Sequence, residues 1–391
     1  MTVTVPRSQV RAAAAGVAVT FGLNGVAVAT WFARVPAARD ALGLTPGALG
    51  VLLLAMSVGA CLAMLTAGEV THRLGPKLTV SLSAVTVAVG LAVAGLGIGA
   101  LASAALTAAG IFVLGYGSGL CDVAMNVEAA EVERALGKTV MPRFHAMWSL
   151  GTVAAAGMAS LAAWAVLPVT AHLVAVALVV AIGTLVAART YRLAGEAEHG
   201  RGSGVLAAWR EPRTLLVGLL VLVMAFTEGT ANDWVAVAFI DGYEIDPATG
   251  ALVFGVFVTT MTLGRIVGTI ALDRWGRVPV LVTTMLLAAA GVTLAVFAGS
   301  LVVAVAGVAV WGLGTALGFP VGMSAAADDP GRAAARVSVV AVIGYTAFLA
   351  GPPLVGLLGN EVGVLRALLI VPLLVLPALA LVPALRPPAK G

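Results

Sequence analysis

The sequence predicts an all-α membrane protein, with twelve transmembrane helices arranged as two pseudo-symmetric six-helix bundles. Three observations carry that prediction. Of 391 residues, 61% are hydrophobic and only 10% charged, whereas a soluble domain carries roughly a quarter charged residues. Apolar stretches of about 20 residues, long enough to cross ~30 Å of hydrocarbon as a helix, recur along the whole chain. Finally, a charged corner interrupts the chain twice, at related positions.

The spans run approximately over 12–33, 47–67, 78–99, 104–127, 143–165, 170–188, 213–239, 248–270, 278–298, 302–325, 336–358 and 363–383. The run Ala12–Ala15 leads into an apolar region too long for a cleaved signal, so the first span is read as retained. The longest interruption, 189–212, is rich in Gly and charge. It reads as a linker between an N-terminal bundle (1–188) and a C-terminal bundle (213–391), with 205–209 as a short surface helix.

Charge sets the orientation. Of 22 Lys and Arg, only Arg34, Arg39 and Arg366 fall outside if the N-terminus is cytoplasmic, and Arg265 lies within a span. Such a positive-inside bias places both termini in the cytoplasm. The surplus charge is therefore topological, and no nucleic-acid partner is expected. Cys61 and Cys121 sit mid-span as small apolar residues, so neither a disulfide nor a metal site is expected, and no cofactor motif is present.

The charged corner is clearest in the second half. There Gly264-Arg265 begins a run that ends in Asp273-Arg274-Trp275-Gly276-Arg277. Gly276 suits a tight hairpin at a membrane surface, the arginines suit the headgroup layer, and Asp273 is placed to pair with them or to cap a neighbouring helix. The first half carries Gly68-Glu69-Val70-Thr71-His72-Arg73-Leu74-Gly75-Pro76-Lys77. A single offset lays Arg73 on Arg274, Gly75 on Gly276 and Thr45-Pro46 on Asp246-Pro247. Each of those dipeptides reads as an N-cap followed by proline at the first helical position. A charged corner and a helix start matching at one offset indicate an internal duplication.

Within the spans, the informative residues are the polar ones that lipid should exclude. In the fourth span Asp122 and Asn126 share a helical face with Ser118, while Glu128 lies off that face and reads as a surface or turn charge. Asp122 is read either as a proton or substrate contact or as a carboxylate bonded to a neighbouring helix. The fifth span opens with the stripe His145, Trp148, Ser149 and Thr152. His145 is either a proton switch with Asp122 or an interhelical hydrogen-bond donor. The seventh span carries Glu228-Gly229-Thr230-Ala231-Asn232-Asp233-Trp234, where Glu228 and Asn232 share a face and Asp233 lies well round the helix. Both acids face one interior only if the helix breaks at Gly229. Asn24 occupies the corresponding part of the first span. Arg34 is read as pairing with Asp233 or as snorkelling to the headgroups. Arg265 is assigned a structural or gating role, and Tyr345 a cavity hydroxyl.

Glycine clusters at 95–99, 115–119 and 312–314 suit close helix packing, and no strand precedes the GxG spacing at Gly115 that a dinucleotide site would need. Gly344-Tyr345 and Gly351-Pro352-Pro353 mark an expected kink or swivel in the eleventh span.

The paired corner resembles the cytoplasmic-loop signature of the major facilitator superfamily, which falls between the second and third helices of each half. Within it, Asp122-x-x-x-Asn126 is similar to a Glu-x-x-x-Asn pattern of fucose–proton symporters. His145-x-x-Trp148-Ser149, Glu228-Gly229-x-x-x-Asp233-Trp234 and Gly351-Pro352-Pro353 look closer to the YbjJ-like bacterial inner-membrane branch. The first-helix acid of the fucose symporters is replaced by Phe32, so a two-acid sugar mechanism does not transfer whole. The resemblance implies alternating access by two rocking bundles, with the corner stabilising the outward-facing state. His72 cannot supply the permanent negative charge of Asp273, so the first-half latch should be weaker or pH-sensitive.

The expected function is therefore a monomeric secondary transporter in the inner membrane, moving a small polar, sugar-like solute with protons as coupling ion. A proton-coupled drug or metabolite exporter is the alternative, although the fifth span has Gly151 and Gly157 without the Gly-Pro of many exporters. A transport-dead receptor would be expected to add a signalling domain or long tail. A membrane enzyme would need a nucleophile or metal set beside Asp122 and His145, and none is seen.

Overall fold

The structure is a computed structural model in which residues 6–137, 140–191, 205–329 and 332–386 are described. Much of the expected 189–212 linker lies outside them; 205–208 forms one short helix. The described residues are helical, in the order α1 (Arg7–Leu42), α2 (Pro46–Gly99), α3 (Ala104–Leu136), α4 (Met141–Trp164), α5 (Val169–Ala188), α6 (Val205–Ala208), α7 (Pro212–Tyr243), α8 (Pro247–Trp275), α9 (Arg277–Phe297), α10 (Leu301–Thr315), α11 (Gly318–Ala326), α12 (Ala333–Val362), α13 (Val364–Ala367), α14 (Ile370–Ala378) and a closing 3-10 helix (Leu379–Leu385).

Among the described residues, 11 elements are long and apolar enough to cross a membrane. One of them, α2, has 54 residues and contains a non-helical glycine, Gly75, at φ 73°, ψ 158°. The rod folds back there, so the 11 elements supply twelve crossings. Gly276, between α8 and α9, has nearly the same backbone at φ 77°, ψ 173°. This region of backbone space is essentially restricted to glycine, and it makes the expected hairpin in both copies of the corner. The second helix start is also as expected: Asp246 accepts backbone N–H bonds from Ala248 at 2.8 Å and Thr249 at 3.0 Å.

The chain divides into two compact units: Met1–Thr45, Val51–Glu198 and Asp246–Leu252 in the first, Pro46–Gly50, His199–Ile245 and Val253–Gly391 in the second. In the first unit α1 is central, packing chiefly against α4 and then α5 and α3. A methyl group on Gly151 of α4 would strike the carbonyl of Gly22, and one on Gly25 of α1 would strike that of Trp148. The two backbones approach this closely because both stripes lack side chains. Buried around the crossing are Phe21, Met125, Phe144 and Tyr191.

In the second unit α7 takes the central place, against α12, α11 and α13. Three expectations about local geometry change here. The helix α7 runs unbroken through Gly229, so Glu228 and Asp233 remain on different faces of one rod. The helix α12 continues through Gly344-Tyr345 and Gly351-Pro352-Pro353 without a break. The tenth span, expected to be continuous, is instead interrupted at Ala316-Leu317, between α10 and α11.

Large apolar side chains such as Leu65, Ile270 and Leu373 are exposed on the helices, the surface a lipid-embedded protein presents to acyl chains.

The charged ends of the second unit form a network the sequence did not foretell. Asp328 accepts from Arg213 and from Arg277, each at 2.7 Å. Glu211 accepts from Arg336 at 2.6 Å and Arg332 at 3.0 Å. Arg277 therefore reaches across to the segment after α11, Arg274 lies over the Trp275 ring, and Asp273 makes no hydrogen bond or ion pair among the described residues. In the first-half corner Arg73 pairs with Glu69 one turn away.

Two outcomes test this description. Gly276→Ala must hold a Cβ in glycine-only backbone, at a cost of about 1–3 kcal/mol, and should lower the melting temperature; a variant as heat-stable as the parent contradicts the turn. The Arg336 hydrogen bond, then those of Thr214 and Arg332, holds the Glu211 carboxyl below the usual range. A depressed carboxylate contributes stability above its unfolded value, near pH ~4.3, and loses it as pH falls through the folded value. The difference in melting temperature between the parent and Glu211→Gln should therefore be full at neutral pH and close below about pH 4. A difference independent of pH would contradict the network.

Candidate functional site

The polar residues of the spans gather separately within each unit. In the first, the small residues of α1 let it approach α3 and α4. Asn24, 2% exposed, donates from Nδ2 to the Ser118 carbonyl of α3 at 3.4 Å, and its Oδ1 has no partner. One turn on from Ser118, Asp122 accepts from Asn126 Nδ2 at 3.3 Å, while the same amide donates to the Asp122 carbonyl at 2.8 Å. The i, i+4 spacing thus builds an acid–amide pair on the α3 face that meets α1. No cationic side chain pairs with the Asp122 carboxylate among the described residues.

On α4, Ser149 and Thr152 are buried and Trp148 is partly buried. His145 is exposed, with its ring edge-on to Phe21 at 5.1 Å. Asp122 takes its carboxylate hydrogen bond from Asn126 on its own helix.

Glu128 corrects the sequence reading. It is 1% exposed, beside Met125 and Ala129 of the first unit's core along α3. Its position off the Asp122 face was legible. That this face is covered by the Phe21–Tyr191 cluster depends on packing that no local pattern encodes.

In the second unit Glu228 of α7 is bound by Arg265 of α8, whose Nη2 donates to Oε1 at 3.0 Å and Oε2 at 3.2 Å. Arg265 also donates from Nε to the Ala316 carbonyl at 3.4 Å. That carbonyl lies in the break between α10 and α11, where the helical ladder leaves acceptors free. Irregular backbone at membrane depth is tolerated where polar groups satisfy it, and Arg265 does so while holding Glu228. Sequence reasoning placed Arg265 near the charged corner and missed both partners; the only signal was an arginine two turns inside an apolar run.

Asp233, next to the fully buried Trp234, makes no hydrogen bond or ion pair among the described residues. Asn232 shares the Glu228 face, as its spacing requires. Tyr345 of α12 sits between Phe319 and Phe348, each ring 6.2 Å away. Phe348 lies against Gly229, one residue from Glu228. Arg34 donates to the Leu167 carbonyl at 3.0 Å within the first unit. No group of His, Cys, Asp or Glu suited to a metal ion occurs among the described residues.

A chain whose described residues are helical and cross the membrane twelve times, with acids and amides at membrane depth in each unit, is a multi-pass membrane protein of the solute-transporter class. The sequence profile of the Major Facilitator Superfamily matches residues 217–391. An uncharacterized MFS-type transporter of Yersinia pestis is 31% identical over 342 residues, 87% of each chain. The fold is similar to that of the nucleoside transporter NupG, with a TM-score of 0.76 at 13% identity over 94% of this chain and 98% of NupG. It is also similar to the E. coli fucose:proton symporter FucP, at 0.65 and 16% over 95% and 98%. The chain belongs to the major facilitator superfamily; it is a transporter and not an enzyme.

A double-mutant cycle tests the α7–α8 pair. Glu228→Gln and Arg265→Gln should each lower thermal stability, with the double variant showing a coupling of about 1–2 kcal/mol. Additive effects would mean that the two side chains do not act on each other.

Proposed function

We propose that this chain is a secondary active transporter of the bacterial inner membrane, with both termini cytoplasmic. It moves a small polyhydroxylated solute by alternating access, coupled to protons. One observation carries the coupling: Asp122 and Asp233, one in each unit, are carboxylates within membrane-spanning helices with no cationic partner among the described residues. An unpaired carboxylate at membrane depth is costly unless it binds a proton or faces water, and either condition suits a group that takes up and releases a proton during transport. The α7 acid Glu228 differs, because Arg265 already neutralises it. Its role is to hold α7 to α8 and to the α10–α11 break, and Arg265 can leave it only when an anionic or protonated state replaces the pair.

The solute class rests on hydrogen-bonding chemistry. Within the first unit Asn24, Asn126 and Trp148, and within the second Asn232 and the Phe319–Tyr345–Phe348 run, supply amides and aromatic faces, groups suited to a hydroxylated ring. By their names, the fold neighbours NupG and FucP carry nucleosides and fucose, which share that chemistry. The partition into bundles at 1–188 and 213–391, with 189–212 as linker, is part of the same proposal, as is a gating role for Gly68, His72, Arg73, Gly75, Asp273, Arg274, Gly276 and Arg277.

The test is transport in proteoliposomes with and without an imposed pH gradient, using radiolabelled nucleosides and monosaccharides. Uptake should rise at least about tenfold with an inwardly directed proton gradient. Asp122→Asn and Asp233→Asn should abolish the gradient dependence while leaving solute exchange measurable. Gradient-driven loss of solute from loaded vesicles would reverse the direction to export. Transport indifferent to the gradient, or unaffected by both substitutions, would refute the coupling.

A further inference from the structure

The first unit contains a buried cation that no acid compensates. Arg34 is 4% exposed and donates from Nη2 to the Leu167 carbonyl; its Nε has no partner. It forms no ion pair among the described residues. A guanidinium stays charged under all conditions a protein meets, and removing it from water without a counter-charge is expensive. Its burial also rules out the snorkelling pose, which would leave the head group wet.

What faces it follows from helix register. A side chain built on Gly183 of α5 would meet Leu23 of α1, and one on Gly16 would meet Thr190, so the two helices run antiparallel. Leu23 and Arg34 lie eleven residues apart, as do His172 and Gly183. Eleven residues return a helix almost to the same face after three turns. Leu23 against Gly183 therefore brings Arg34 against His172, and the Arg34 hydrogen bond to the Leu167 carbonyl holds its guanidinium at the start of α5. His172 is 5% exposed, and neither of its ring nitrogens has a partner. Thr30, one turn before Arg34 on the same face, is fully buried with an unpaired hydroxyl. His172 lies in the first turn of α5 (Val169–Ala188), where the helix presents unpaired N–H groups and the positive end of its dipole.

A guanidinium N–H, an imidazole N–H, a hydroxyl and a helix start thus converge without a carboxylate among them. We propose that this junction of α1 and α5 is a binding site for a compact oxyanion, a phosphate or carboxylate group that supplies the missing counter-charge. It lies at the end of the first unit opposite the Gly75 turn and uses none of the residues assigned to transport. The oxyanion has two natural sources: free inorganic or organic anion, and the phosphate of a lipid headgroup. Both present the same oxygens to the same donors.

The test is thermal unfolding of the full-length protein in neutral detergent. It is titrated with sodium phosphate, with sodium acetate, or with micelles containing phosphatidylglycerol, each against choline chloride at matched ionic strength. At least one oxyanion should raise the melting temperature in a saturable way. The apparent Kd should rise at least about tenfold in Arg34→Gln and in His172→Gln, as expected for loss of a charge-assisted hydrogen bond. Saturation by phosphate or acetate identifies a free anion; saturation by phosphatidylglycerol alone identifies a headgroup. Should Arg34→Gln fail to fold, Arg34→Lys keeps the charge but loses Nε, and it should weaken binding together with His172→Gln. No saturable shift with any of the three probes overturns the site, as does an unchanged Kd in the variants.

Discussion

The cost of placing charge in a medium that cannot solvate it governs this molecule. The chain spends only 10% of its residues on charge, and the position of each polar group inside a span is consequently informative. The structure shows three different answers to that cost. Glu228 is met by an arginine from the next helix. Asp122 is met by an amide one turn along its own helix. Arg34 is met by a backbone carbonyl alone. Only the first is an internally complete settlement; the other two leave chemical capacity in reserve, and a transporter needs groups whose partners change.

The α10–α11 break shows how backbone and side chain share this task. A helix interrupted at Ala316-Leu317 in a hydrophobic setting exposes carbonyls that lipid would not accept. Arg265 reaches one of them while its other end grips Glu228. One side chain therefore ties the packing of α7, the position of α8 and the shape of the broken helix. The arginines at the charged end do comparable work, where Arg213 and Arg277 converge on Asp328.

Much of the fold was legible because membrane insertion imposes length and polarity directly on sequence. The twelve crossings, the hairpins at Gly75 and Gly276, and the cap at Asp246 all follow from local rules: apolar length, a glycine where only glycine fits, and an acid ahead of a helix start. What was not legible is pairing across helices. No spacing rule links Glu228 to Arg265 or Arg277 to Asp328, since each pair joins residues far apart along the chain whose meeting depends on packing. The same holds for Glu128, buried although its spacing reads as a surface charge, and for Arg34, whose acceptor is the Leu167 carbonyl. The break at Ala316 had a local signal that the spans passed over: Pro320, four residues on, has no N–H to give the Ala316 carbonyl and its ring crowds that oxygen.

The two corner glycines share a backbone conformation, whereas the residues just before them have diverged, with His72 standing where its counterpart is Asp273. Side-chain chemistry at a duplicated position can drift once selection treats the copies separately. A backbone conformation that costs any other amino acid about 1–3 kcal/mol drifts far less readily. The bend itself is therefore carried most durably by the two positions that have no side chain at all.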